Sequence, residues 1–273
     1  MINIDIDPVA FLNVRWYGIA VALAIVVIVG WLLWKVKKGA KISADTVLTV
    51  AIVGIPSGVI FARLLHVLDN IVIAKLHPEL VASGAVYDYL QHPSQIIGGS
   101  GLTIYGAILG ASLGIWIYSR FARLDSGYIF DLITPALALA QVIGRGGCTV
   151  NGCCYGSETS LPWGIVYLHP ESLAHLGIAV HPTQVYEIIF LLIVFCFTLW
   201  LSGRLKPSGS LFLLYLALYS AWRIGIGFLR DGEPFLFGLH QAQVVGIVVL
   251  LITVPVLIIK TRWVKKEESI SPD

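Results

Sequence analysis

Charge is scarce in this chain. Only 12% of its 273 residues are Asp, Glu, Lys or Arg, about half the share of an ordinary soluble domain. That excludes the polar shell a soluble fold of this length needs. Cysteine is scarce as well: there are four, three of them within seven residues, which rules out a disulfide scaffold. Internal repeats and low-complexity segments are absent, apart from a polar tail at 267–273. No basic segment precedes the first apolar run, which is too long for the core of a leader and follows the acidic stretch Met1–Arg15; no removable signal peptide is expected.

What the chain has is apolar surface, with 57% hydrophobic residues and a mean hydropathy of +0.85. A bilayer accepts that load. The fold class expected is an all-α polytopic membrane protein, a single membrane domain over residues 1–266. Spans of about 20 apolar residues fall near 16–34, 46–67, 97–119, 127–148, 184–203, 209–230 and 241–259, which makes seven transmembrane helices.

Orientation follows from the cations. Twelve of the eighteen Lys and Arg lie after spans one, three, five and seven: Lys35, Lys37, Lys38, Lys41, Arg120, Arg123, Arg204, Lys206, Lys260, Arg262, Lys265 and Lys266. By the positive-inside rule these segments are cytoplasmic, the N-terminus lies outside and the C-terminus inside. Trp16, Tyr17, Trp31, Trp34, Trp116, Tyr118, Trp200 and Trp263 stand near span ends, where interfacial aromatics belong. The outer segments, 68–95 and 149–183, then form a small periplasmic or extracellular cap. The first of them reads as a short amphipathic helix lying on the membrane.

Six cations are left over. Arg15 and Lys75 sit in outer segments, and Arg63, Arg145, Arg223 and Arg230 fall within or at the outer ends of spans two, four and six. An arginine in hydrocarbon costs about 3 kcal/mol even on insertion scales, so it should face the bundle interior or a wet cavity. Four at similar depth point to an electropositive cavity opening outward. For Arg63 and Arg230, near helix ends, snorkelling to the headgroups is an equal reading.

Three constellations carry chemistry. Gly144 to Gly156 places Arg145, Asn151 and five glycines at the end of span four; glycine lets backbone approach an anion, and the guanidinium fork suits phosphate oxygens. In His181-Pro182-Thr183-Gln184-Val185-Tyr186-Glu187, Thr183 is a plausible helix N-cap. Glu187 suits either the helix dipole or a partner arginine. On span six, Tyr219, Arg223 and Arg230 share one face. Gly98 to Gly106 is a small-residue stretch for close helix approach, with Tyr105 either ligand-facing or packed. Asp131 lies about 21 Å along the helix axis from Arg145, too far to pair with it, and is expected to make a structural hydrogen bond. Cys148, Cys153 and Cys154 allow a redox pair, but no partner pair stands at zinc-like spacing, so no metal and no cofactor are expected.

These motifs together resemble prolipoprotein diacylglyceryl transferase, nearly end to end. The carriers are Arg15-Trp16-Tyr17-Gly18, Ala62-Arg63-Leu64, the Gly-rich stretch of span three, Asp131 to Gly156, the His181–Glu187 run and Tyr219 to Arg230. The resemblance implies an enzyme of the bacterial cytoplasmic membrane, with its active site towards the outer leaflet. It implies transfer of the diacylglyceryl group of phosphatidylglycerol to the lipobox cysteine of a prolipoprotein, the first step of lipoprotein maturation. It implies catalytic roles for Arg145, Arg223, Tyr105 and Tyr17. Phosphatidylglycerol contacts are implied for Arg145, Asn151, Gly156, Tyr219, Arg230, Arg63, His181 and Glu187. The partners are membrane lipids and the prolipoprotein signal segment, with no nucleic acid. The chain departs from the family pattern, which often has His at Tyr105, Asn at Cys148, and Glu at Cys153 and Gly227. A paralogue with another acceptor, a membrane thiol oxidoreductase built on the three clustered cysteines, and an anion or lipid transporter are the rival readings.

Overall fold

The structure is a computed structural model that describes residues 1–12, 14–76, 78–82, 87–98, 101, 103–230 and 235–264. The polar tail 267–273, the cations Lys265 and Lys266, and Gly99, Ser100 and Leu102 of the small-residue stretch lie outside the described residues. The elements run β1 (Ile2–Ile4), β2 (Val9–Phe11), β3 (Val14–Arg15), α1 (Trp16–Lys37), α2 (Ala44–Leu76), α3 (Pro78–Ala82), α4 (Gln95–Gly98), α5 (Ile104–Phe121) and α6 (Ser126–Asn151). They continue with β4 (Ile165–Tyr167), β5 (Ala179–Val180), α7 (Thr183–Leu201), β6 (Leu205–Lys206), α8 (Ser210–Gly227), α9 (Gln241–Lys260) and β7 (Arg262–Trp263).

The chain is a polytopic helical membrane protein. Among the described residues, six helices are long and apolar enough to cross a bilayer: α1, α2, α6, α7, α8 and α9. The expected span at 97–119 corresponds to α5, an 18-residue helix that starts at Ile104 and is not among the six. Three glycines, two tyrosines and Arg120 dilute its apolar character. The second expected helix ends at 67, whereas α2 continues through Asp69 and Asn70 to Leu76. The first nine residues expected in a surface helix therefore belong to α2. Asn70 holds on by bonding back to the His66 carbonyl at 2.9 Å.

The chain divides into two compact units. The first comprises Met1–Lys41, Gly127–Gly232 and Gly246–Asp273. In it a three-stranded sheet joins the N-terminus to the segment after α6: β1 runs parallel to β4 (Ile2↔Ile165), and β4 runs antiparallel to β5 (Ile165↔Val180). Ile165, Tyr167, Ala174 and Val180 form its core, packed by Ile4, Tyr155 and Val185. The hairpin β2–β3 delivers Arg15 to the start of α1. At the other end of α6, Asp131 makes the expected structural hydrogen bonds. Its Oδ2 accepts from the Gly209 N–H at 2.8 Å and its Oδ1 from the Phe212 N–H at 3.0 Å, capping α8 across the bundle. Gly209 adopts φ +93°, which admits few other residues at that cap.

The second unit, Ile42–Ser126 and Glu233–Val245, is built on α2 against α5. Ser43 opens α2, its Oγ accepting from the Thr46 N–H at 3.1 Å. The small-residue seam runs on Gly106, Gly110 and Gly114 of α5. A Cβ at Gly106 would meet the Phe61 carbonyl oxygen at 2.5 Å, one at Gly110 the Ser57 carbonyl oxygen at 2.6 Å, and one at Gly114 the Ser57 Oγ at 2.5 Å. The close approach thus begins inside the expected stretch 98–106, at Gly106, and runs about two turns beyond it to Gly114.

Gly110→Val forces Cβ against backbone and is expected to destabilise by about 1–3 kcal/mol. Gly30→Ala in α1, where a Cβ meets nothing within 4 Å, should be neutral or slightly stabilising. Thermal unfolding of the two variants in the same detergent checks the contrast.

Candidate active site

A glutamate ties three helices together. Glu187 stands one turn into α7 and is 1% exposed. Its Oε1 accepts from Arg145 Nη2 of α6 at 2.9 Å and from the Tyr219 hydroxyl of α8 at 3.0 Å. Its Oε2 faces Arg223 Nη1 of α8 at 3.5 Å. Of the two readings of Glu187, the structure shows the arginine partner. Thr183 does not cap α7: the N-cap position is Pro182, and the Thr183 hydroxyl donates to the Cys154 carbonyl at 2.7 Å. A capping hydroxyl was the local reading, and a tertiary acceptor won it.

Among the described residues the charges do not balance locally. Arg145 and Arg223 share one carboxylate. Arg223 is buried, and its Nε and Nη1 have no hydrogen-bond partner among the described residues. Arg230 joins them from a different place than expected. α8 ends at Gly227, so Arg230 does not lie on the Tyr219–Arg223 helical face but in the turn beyond, bridged to Gly156. Burial, then the like charge of Arg223, pulls Arg230 below its ordinary pKa. Only the smaller cause, the charge of Arg223, reports a positive potential that an anion would relieve.

The glycine-rich segment sets this geometry. Gly144 and Gly146, on either side of Arg145, face open space, while Gly147 lets α1 approach until Tyr17 Cα is 3.1 Å from its would-be Cβ. Tyr17 thereby comes within electrostatic reach of Arg145 and Cys148. Asn151, buried at the end of α6, accepts from Arg15 Nη1 at 3.1 Å, and Arg15 also donates to the Glu171 carbonyl at 3.1 Å. Gly156 donates to the His181 carbonyl at 2.9 Å, and a Cβ there would strike His181 Cβ at 2.7 Å and Thr183 Cγ2 at 2.8 Å. Its conformational role is therefore structural as well as positional. The His181 ring contacts the Tyr186 hydroxyl at 3.4 Å, which accepts from Trp163 Nε1 at 2.9 Å.

Sequence reasoning passed over Gln184. Fully buried, it donates through Nε2 to the Cys153 carbonyl at 2.7 Å and the Tyr167 hydroxyl at 3.2 Å, leaving Oε1 without a hydrogen-bond partner among the described residues. Burial holds the Tyr167 phenol above its ordinary pKa, so it stays neutral. Gln184 lies inside the His181–Glu187 run, but only its burial marks it out. With Thr183 it pins the Cys153 and Cys154 carbonyls, so the loop after α6 is fixed by the first turn of α7. The three cysteines are free thiols whose sulfurs lie within 4.8 Å of one another. Hydrogen bonds from Cys148 and Cys153, then the charges of Arg230 and Arg145, pull the Cys154 thiol below its ordinary pKa.

Two implied site residues belong to the second unit. Arg63 donates from Nε to the Ile96 carbonyl at 2.8 Å and from Nη1 to the Gly101 carbonyl at 3.1 Å, and stacks on Tyr89 at 5.3 Å. Through these carbonyls it holds the segment that leads into α5. Tyr105, in the first turn of α5, is buried.

The prolipoprotein diacylglyceryl transferase family matches residues 6–259. A phosphatidylglycerol–prolipoprotein diacylglyceryl transferase of one Dehalococcoides mccartyi strain is 46% identical over 99% of the chain and 100% of its own length. The counterpart from a second strain is 47% identical over 98% and 99%. The Clostridium tetani protein of the same name is 35% identical over 83% of the chain and 86% of its own length. With a family match along almost all of its length and relatives this similar from end to end, the chain belongs to the prolipoprotein diacylglyceryl transferase family.

Proposed function

We propose that the chain transfers the diacylglyceryl group of phosphatidylglycerol to the thiol of a prolipoprotein lipobox cysteine, and that Arg145 and Arg223 hold the phosphate that departs. The observation that carries the reading is the buried pair of arginines on one carboxylate, with Arg223 Nε and Nη1 making no hydrogen bond among the described residues and Nη1 only a 3.5 Å ion pair with Glu187. A phosphodiester brings the negative charge and the acceptor oxygens that this pair lacks.

The chemistry is alkyl transfer. The thiol sulfur attacks the glycerol carbon that bears the phosphate, a C–S bond forms, the C–O bond breaks, and its electron pair leaves on glycerol 1-phosphate. The thiol proton is carried off by that product, whose monoester phosphate gains a basic oxygen as the diester is lost. Guanidiniums fixed beforehand around the leaving oxygen stabilise the charge as it develops, without reorganisation at the moment of reaction. Glu187 and Tyr219 keep the two forks in register, and Arg230 adds to the same potential. Tyr17 and Asn151, at the outer ends of α1 and α6, border the phosphate.

The cation distribution supports seven spans with α5 as the third, an outward N-terminus, a cytoplasmic C-terminus and a site opening towards the outer leaflet of the cytoplasmic membrane. In that orientation the β1–β4–β5 sheet lies on the outer side, where a secreted prolipoprotein presents its thiol.

Purified wild type, given labelled phosphatidylglycerol and a lipobox peptide, is expected to form the thioether and release glycerol 1-phosphate. Arg145→Ala should lose about 10²- to 10³-fold in turnover, the cost of removing one positioned donor. Absence of thioether from wild type, or undiminished turnover in Arg145→Ala, would sink the assignment. Glu187→Gln leaves two buried guanidiniums with no counter-charge and should cost about 3–5 kcal/mol of stability. Its thermal midpoint is expected to recover partly when phosphatidylglycerol is added, because the lipid then supplies the missing anion; comparison of melts with and without the lipid checks this.

A further inference from the structure

We propose that Cys148, Cys153 and Cys154 form a binding site for one soft monovalent metal ion, Cu(I), held by three thiolates. The proposed transfer uses none of these sulfurs, but the two sites share the charge of Arg145 and Arg230. Their thiol sulfurs lie within 4.8 Å of one another, close enough for a single ion to join all three with small side-chain rotations. Nothing in the spacing Cys-x4-Cys-Cys announces this. The convergence comes from the fold: Cys148 sits in the last turn of α6, the chain reverses through Gly152 at φ +70°, and Cys154 takes the left-handed conformation at φ +66°.

The cluster is held in place by groups that are not ligands. The Cys153 N–H donates to the Cys148 carbonyl at 3.2 Å, Gln184 holds the Cys153 carbonyl at 2.7 Å, and Thr183 holds the Cys154 carbonyl at 2.7 Å. A loop anchored at consecutive carbonyls by the buried start of α7 presents its sulfurs in one arrangement. It need not order them when an ion arrives, which favours binding.

Donor number and charge select the ion. Soft thiolates favour Cu(I) and Zn(II) over harder ions, and structural Zn(II) takes four ligands in a tetrahedron. Among the described residues the cluster contains three sulfurs and no histidine or carboxylate, a trigonal donor set. Three thiolates around Cu(I) carry a net charge of −2. Arg145 and Arg230 both lie within electrostatic reach of Cys154, so two guanidiniums stand ready to balance it. Binding would release the three thiol protons to solvent, with no change of oxidation state.

The test is anaerobic titration of the reduced full-length protein in detergent with Cu(I), in competition with the chromogenic chelator bicinchoninate. One equivalent of Cu(I) retained against the chelator, a three-sulfur shell by X-ray absorption, and loss of retention by at least a hundredfold in Cys153→Ser and Cys154→Ser support the site. Cys196→Ser, whose thiol is exposed elsewhere on α7, should retain the ion. Size-exclusion profiles and thermal midpoints matching wild type show that the variants fold. No retained equivalent in wild type, equal retention in the serine variants, or at least tenfold preference for Zn(II) over Cu(I) overturns the proposal. None of these readouts depends on diacylglyceryl transfer.

Discussion

The carboxylate of Glu187 is the constraint around which the first unit is arranged. A buried carboxylate alone in an apolar bundle is unstable, and so are two buried guanidiniums. Together they hold α6, α7 and α8 by contacts of 2.9, 3.0 and 3.5 Å from one side chain. A buried ion pair of this kind adds little stability beyond what apolar residues of the same volume would supply, because desolvation consumes most of the Coulombic gain. Its retention in a bundle so poor in charge is better explained by what it leaves over. Among the described residues, one carboxylate for two arginines, with a third nearby, is an excess of positive charge.

That excess can persist only because the surrounding backbone is fixed from several directions. Asp131 joins α6 to the start of α8 through two backbone N–H groups, while Glu187 joins the same two helices towards their other ends. The two ties are separated by fourteen residues along α6, about 21 Å, so neither helix can slide or rotate without breaking one of them. Beyond the end of α6, Thr183 and Gln184 fix the loop that follows, and Gly156 lets that loop pass between His181 and Leu229. The arginines are thus positioned by groups that themselves have no business with a phosphate.

Much of this was legible from residue types because membranes make certain residues expensive. Hydropathy marked where the helices run, and Arg145 and Arg223 stood out because an arginine at that depth needs a reason. Asp131 could be separated from Arg145 by helical rise alone. What escaped was whatever depends on a partner distant in sequence. Glu187 satisfied a local rule and a tertiary one equally, and only the fold chose. Thr183 looked like a cap because a capping hydroxyl and a hydroxyl bound to a remote carbonyl have the same sequence. Arg63 gave no hint that it would gather the carbonyls leading into α5. The continuation of α2 past 67 depends on such detail too: the Asn70 side chain bonds back one turn, and the helix goes on.

The departures at Cys148 and Cys153 acquire a different meaning once the sulfurs are seen together. With Cys154 they make one soft, polarisable centre whose sulfurs lie within 4.8 Å of one another, within electrostatic reach of Arg145 and Arg230. The electrostatic demand is unchanged: guanidiniums at the end of α6 and beyond α8 still need negative charge near them. A protonated thiol supplies none and a thiolate supplies one unit, so the protonation of Cys154 sets how much of the Arg145 and Arg230 charge is left for a phosphate. The pull of those arginines on Cys154 and the pull of Cys154 on those arginines are one interaction seen from two sides. Any ligand that fixes the thiols as thiolates must therefore weaken the positive potential offered to an anionic lipid, even without touching it.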